Sequence, residues 1–262
     1  MLNKRFNVKQ QGENKVLEIY LYGEIQPDYD SFFGKVESKT SAEYVQKAIN
    51  EAGPVSEIKV YINSCGGYVE QGVAINNILK RQSAFVTVYI DAFAYSVASV
   101  IAMAGDKIVM PSNTTMFIHN AMWDIFGNSK DLRKSADDLD VINESTKAAY
   151  LAKAGDKLDK TLLNELMDKE TFLSAEDALK YGLCDEITNP VEVTEDSQEI
   201  AEQSLKSHYC TDGAKKAIKQ AIEHFAEQRK SPPAPPAKKP DDEPLDNKDF
   251  FEKLSERFKD LI

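Results

Sequence analysis

A polypeptide that hydrolyses an acyl bond at neutral pH needs a hydroxyl or thiol nucleophile and an imidazole within reach. It also needs N–H donors for the oxygen that becomes negative. The chain has three histidines, His119, His208 and His224, so imidazole chemistry is confined to few places. His119 ends the apolar, strand-like run Met116-Phe117-Ile118. Ser96 follows the apolar run Val86 to Asp91 and opens a stretch of small residues, Ala98, Ser99, Ala102 and Ala104, that allows close helix packing. The free amides and positive dipole end of such a helix favour a developing negative charge. Gly66-Gly67 closes another strand-like run, where a glycine amide can approach a carbonyl with no side chain in the way. Taken singly, none of these identifies an activity. Serines open buried helices, histidines end strands and glycine pairs make turns.

The elements that must hold these residues are legible from periodicity. Val16 to Tyr22 alternates and is rich in strand formers. Gln26 to Lys39 reads as a polar loop, and Ser41 as the cap of a helix through Asn50. Glu57 to Ile62 reads as a strand, Asn63-Ser64-Cys65-Gly66-Gly67 as a turn, and Gln71 to Arg81 as a helix. Val86 to Asp91 is another strand, Ala94 to Ala104 a small-residue helix, and Lys107 to Met110 and Thr115 to Ile118 short strands. Asn128 to Ala154 and Asp159 to Asp168 carry helical patterns, and Ser174-x-x-Asp177 is a capping-box variant opening a helix closed by Gly182. The alternation of strand, turn and helix predicts an α/β domain.

Composition narrows the partners. A net charge of −11 argues against general nucleic-acid binding, which wants a basic surface. The three widely spaced cysteines, Cys65, Cys184 and Cys210, match neither a disulfide framework nor a zinc pattern. No metal or cofactor site is therefore expected. The longest apolar stretch, Ala92 to Gly105, is too short to span a membrane, and the first residues lack a signal-peptide core. A cytoplasmic protein with no membrane partner is expected. Thr194 to Arg229 is polar with helical character, broken near Thr211-Asp212-Gly213. Ser231 to Pro240 is too rich in proline for helix or sheet and reads as a stiff linker. Phe250, Leu254, Phe258 and Leu261 then fall at helical spacing.

Four ordered motifs carry a family resemblance. Ile62-Asn63-Ser64-Cys65-Gly66-Gly67 resembles the I-N-S-P-G-G segment of Clp protease proteolytic subunits, and Gly72-x-Ala74-Ile75 is similar to the helix after it. Phe93-Ala94-Tyr95-Ser96-Val97-Ala98-Ser99 resembles the nucleophile motif, and Met116-Phe117-Ile118-His119-Asn120 the M-I-H strand. Phe172-Leu173-Ser174-Ala175 with Tyr181-Gly182-Leu183-Cys184-Asp185 resembles the closing F-L-S-A…Y-G-L-x-D segment. The resemblance implies an α/β, crotonase/Clp protease-like ββα superhelix with a parallel-rich sheet, plus a C-terminal extension that is part helical and part disordered. It divides the chain into a Clp-like serine protease domain over 1–192, a helical extension over 193–230, a proline-rich linker over 231–246 and a short amphipathic tail over 247–262.

Carried over by motif position, Ser96 is the nucleophile and His119 the base. The amides of Gly67 and Val97 form the oxyanion hole, and Gly66, Gly67, Tyr68 and Val69 line the substrate. The family's aspartate position holds Glu170, with Asp168 as the rival acid. Cys65 replaces the family's proline; a thiol there is a nucleophile in principle, and a small buried filler equally well. Ser64 and Ser99 read as local hydrogen-bonding residues. The opening Leu21-Tyr22-Gly23-Glu24-Ile25, the run from Ser96 to Asp106 and the long C-terminal extension are similar to the Clp-like proteases of tailed-phage and prophage head modules. That branch implies a phage head maturation (prohead) protease acting on scaffold and major capsid protein, in homo-oligomeric rings whose stacking uses the Asn128–Ala154 helix, inside proheads in a host cytoplasm. Three other readings stay open: a peptidase regulated by an ATPase partner, a crotonase-fold acyl-CoA enzyme and a catalytically dead scaffold.

Overall fold

The computed structural model describes residues 6–11, 14–32, 34–190, 195–207 and 210–220. The proline-rich linker, the amphipathic tail, His208 and His224 lie outside the described residues. The described part lies in one compact unit, a mixed α/β domain around a mostly parallel sheet. This is the expected class, consistent with a crotonase/Clp protease-like fold.

The central strands are β2 (Asn14–Tyr22), β5 (Glu57–Ser64), β6 (Phe85–Tyr95) and β7 (Lys107–Pro111), which pair in parallel in that order. Strand β1 (Phe6–Gln11) adds antiparallel to β2, and β10 (Glu186–Thr188) adds parallel to β7. Between β2 and β5 come a two-stranded hairpin, β3 (Tyr29–Ser31) and β4 (Gly34–Val36), and helix α1 (Ala42–Ala52). Helices α2 (Val69–Lys80) and α3 (Val97–Ala102) follow β5 and β6. After β8 (Thr115–Ile118) come α4 (Ser129–Ala154), α5 (Lys160–Asp168), β9 (Thr171–Ser174) and α6 (Ala175–Lys180). Helix α7 (Glu195–Lys206) and helical residues 212–220 lie in the C-terminal extension.

The pleat sorts the side chains. Ile58, Val60 and Ile62 of β5 and Val86, Val88 and Ile90 of β6 face one way and are buried in the main core with α1, α2 and α3. On the other face Tyr20, Tyr61 and Tyr89 stand in register on β2, β5 and β6, with ring centroids 4.8 and 5.1 Å apart. Farther along that face a second cluster gathers Cys65, Phe93, Tyr95 and Phe117 with Ala201, Cys210, Ala214 and Ile218 of the extension. No helix among the described residues is long and apolar enough to cross a membrane.

Side chains cap the helix ends, at Ser41 and Ser174 as the sequence predicts. Ser41 accepts from the Tyr44 N–H, Asn128 closes a capping box with Asp131, and Ser174 closes one with Asp177. Two expectations are corrected. The segment 26–39 is not loop throughout, because Tyr29–Ser31 and Gly34–Val36 pair antiparallel. The helix expected from Ala94 begins only at Val97, because β6 runs on to Tyr95. Small residues suggested helix there, but Phe93 and Tyr95 bury on one face and Ala94 on the other, which is a strand's alternation.

Candidate active site

Sheet register assembles the site. Strand β6 leaves β7 and pairs in parallel with β8, matching Phe93 with Thr115, Ala94 with Met116 and Tyr95 with Phe117. Ser96 is the first residue past the end of β6 and His119 the first past the end of β8, so both emerge at one edge of neighbouring parallel strands. Strand β9 returns antiparallel along β8, with Ile118 opposite Thr171. Glu170 directly precedes Thr171, in the turn out of α5, and its charge acts on His119. Gly66 and Gly67 come to the same edge from β5, since Ser64 pairs with Ala94.

Ser96 sits in an uncommon backbone conformation, φ 54° and ψ −132°. Among the described non-glycine residues only Ser96 and Glu170 have positive φ, the latter at 49°. Such conformations cost of order 1–3 kcal/mol and cluster at functional sites. At Ser96 the turn lifts the side chain off the strand, while its N–H donates to the Phe117 carbonyl at 2.8 Å. At Glu170 it reverses the chain from α5 into β9.

His119 is largely enclosed, and its ring stacks on Phe117 with centroids 5.0 Å apart. Burial pushes its pKa below the ordinary imidazole value, partly offset by the backbone hydrogen bond at Asn120 and the charge of Glu170. Its Nε2 is buried and without a hydrogen-bond partner among the described residues, so no bond yet joins it to Ser96 Oγ. A hydrogen bond that is open at rest and closes on substrate is common at catalytic pairs. Asp168 is engaged elsewhere, accepting from Asn120 Nδ2 at 2.8 Å.

The glycines fit the cleft by lacking side chains. A methyl at Gly66 would stand 2.7 Å from Ser96 Cβ and 3.2 Å from its Oγ. Gly67 bridges Ile25: the Ile25 N–H donates to the Gly66 carbonyl at 2.8 Å, and the Tyr68 N–H to the Ile25 carbonyl at 2.9 Å. That pattern leaves the Gly67 N–H unused, and the Val97 N–H has no acceptor among the described residues either. A methyl at Gly67, where φ is 149°, would fall 2.1 Å from the Ile25 carbonyl oxygen. Gly67→Ala is therefore expected to lose about 2 kcal/mol or more of stability. Urea unfolding measures it, and a loss no larger than for an exposed Gly53→Ala would contradict the close approach.

Ser64 and Ser99 act locally as read, Ser64 Oγ accepting from the Gly66 N–H at 3.1 Å. Cys65 is buried in the second cluster, on the face away from Ala94 and Ile118. The neighbouring Cys210 thiol holds its pKa below the ordinary thiol value and is itself raised in turn. Sequence reading missed Asn143, a buried α4 residue whose Oδ1 accepts from the Ala121 N–H at 2.7 Å and so fixes the chain just after His119. Its only signal is an amide in the interior of a helix, where such side chains need a partner.

A serine raised on a strained turn, an imidazole one strand away, a carboxylate opposite and two unused amides are the parts of an acyl-transfer site. Comparison with known proteins points the same way. A family model described as Clp protease matches residues 29–191. The chain is similar to the ATP-dependent Clp protease proteolytic subunit of Deinococcus radiodurans, 32% identical over 173 residues that span 64% of this chain and 83% of that one. It is also similar to the ATP-dependent Clp protease proteolytic subunit 1 of Chlamydia felis, 29% identical over 151 residues that span 56% and 73% of the two chains. Helix α7 and helical residues 212–220 lie beyond the matched region.

Proposed function

This chain belongs to the Clp protease family, and we propose that it is a serine endopeptidase working through Ser96, His119 and Glu170. The observation that carries this reading is the double register of β8, parallel to β6 and antiparallel to β9, which brings the strand ends next to Ser96, His119 and Glu170 to one sheet edge. His119 Nε2 takes the Ser96 hydroxyl proton as Oγ attacks the scissile carbonyl. The Gly67 and Val97 N–H groups receive the oxyanion. His119 then gives the proton to the leaving amine, and water repeats the sequence to free the acyl-enzyme. Glu170 holds the imidazole in orientation and stabilises its charged form. A substrate strand lies along Gly66, Gly67, Tyr68 and Val69.

The protease domain is taken as 1–192, followed by the helical extension. The physiological reading is maturation of a phage or prophage head, with scaffold and major capsid protein as substrates. Its support is the motif resemblance together with an extension that packs helices 195–206 and 212–220 against the domain. Assembly into rings is supported by an exposed apolar run, Met122, Trp123, Ile125 and Phe126, leading into α4. The names of the relatives favour a second reading, a proteolytic subunit fed by an ATPase.

A fluorophosphonate probe with intact-mass readout tests the chemistry. One adduct on the folded wild type is expected, and its absence would return weight to a dead scaffold or an acyl-CoA enzyme. Capsid protein cut without any ATPase supports the maturation reading. A strict requirement for ATP and a partner supports the second.

A further inference from the structure

Beneath Ser96 runs a chain of buried hydroxyls that the mechanism above leaves unused. Tyr150, in the last turns of α4, is 1% exposed, and its hydroxyl lies 2.7 Å from Ser99 Oγ. Ser99 Oγ donates in turn to the Ser96 carbonyl oxygen at 2.6 Å. That oxygen also accepts from the Ser99 N–H at 2.9 Å. A serine hydroxyl has one proton. With it directed at Ser96, the Tyr150 hydroxyl must be the donor of the pair. Burial raises the Tyr150 phenol above its ordinary value, so the donor keeps its proton at any working pH.

The Ser96 carbonyl and the Val97 N–H are opposite ends of one planar trans peptide, so they point in opposite directions. Pulling the carbonyl oxygen down onto Ser99, whose hydroxyl Tyr150 holds in turn, points the Val97 N–H the other way, and that amide has no acceptor among the described residues. The peptide on the other side of Ser96 is fixed through its N–H and the Phe117 carbonyl, which Ser99 Oγ also approaches at 3.5 Å. A residue at φ 54° holds that conformation only when both flanking peptides are pinned.

We infer that Tyr150 and Ser99 are positioning residues that aim the Val97 N–H at the oxygen of the tetrahedral intermediate. The inference rests on the reading of Ser96 as nucleophile. It ties catalytic competence to α4, which reaches the Ser96 backbone through this hydroxyl relay. A relay that serves the oxyanion acts on the transition state and leaves substrate binding alone.

The test uses the full chain and the variants Tyr150→Phe, Ser99→Ala and the double replacement. Removing an oxyanion donor outright costs about 10²–10³-fold in kcat, so loosening one is expected to cost about 10-fold with KM within about twofold. Fluorophosphonate labelling of Ser96 should slow by the same factor, and the double variant should be no slower than either single one, because both break one chain. Val45→Ala, in the α1 core, supplies a comparable loss of Tm without touching the relay and should leave kcat alone. Variants that lose Tm yet label and turn over at the wild-type rate would overturn the inference. A wild type that takes no label, or a Ser96→Ala variant that labels equally well, would remove the nucleophile itself and the inference with it.

Discussion

Ser96→Ala is expected to lower peptide hydrolysis by about 10⁴-fold or more and to abolish the phosphonate adduct, with folding intact. The Ser96 side chain is partly exposed, so removing its hydroxyl strands no buried group. What alanine does not remove is the backbone strain, since its Cβ meets the same clash at φ 54° as serine's. Ser96→Gly separates the two contributions. Glycine adopts that region freely, so Ser96→Gly should also be inactive but more stable than Ser96→Ala by about 1 kcal/mol. Differential scanning calorimetry on the two variants reads this directly. A glycine variant no more stable than the alanine one would mean that Ser96 stores no strain. Residual hydrolysis in both would mean that another group carries the reaction.

Much of this site was legible because it lies where local pattern and long-range structure agree. Strand β8 is legible to the residue, and Ser41 and the Ser174–Asp177 box mark where α1 and α6 begin. Ser96 and His119 stood out through motifs at the ends of recognisable strands. What the sequence hid depends on pairing between distant segments. Strands β9 and β10 are four and three residues long and exist only because β8 and β7 offer edges. The last turn of β6 looked helical because nothing local shows that β8 becomes its new partner. Tyr150 falls in helical phase like any core aromatic, and only the fold shows that its hydroxyl meets Ser99. Asp168 and Glu170 are alike to a local reading, two carboxylates around a helix end. The fold separates them: Glu170 adjoins Thr171, which pairs with Ile118, and its charge acts on His119, while Asp168 is tied to Asn120.

That separation makes the acid the next test, with Glu170→Gln and Asp168→Asn compared in one assay. The amide of Glu170→Gln keeps the shape of the carboxylate and loses its charge. Loss of the orienting acid in a triad costs about 10²–10⁴-fold, so Glu170→Gln should fall in that range, while Asp168→Asn should stay within a few-fold. The pH profile gives an independent sign. Burial sets His119 below 6.5, and the Glu170 charge acts upward on it. The acid limb of kcat/KM, which reports the free enzyme, should therefore lie below that value in the wild type. Removing the charge makes the imidazolium less favourable, so the limb moves to still lower pH even as the plateau drops. Asp168→Asn should leave the limb in place. Stability follows the same linkage. Below pH 6.5 the unfolded chain protonates its histidine before the folded one, so this site weakens folding as pH falls from 6.5 toward the folded value. In Glu170→Gln that window extends further into acid. If instead Asp168→Asn carries the large loss and shifts the limb, the acid is Asp168. A plateau lost in both variants with neither limb displaced would make both carboxylates structural, leaving His119 to be oriented by Phe117 and the backbone alone.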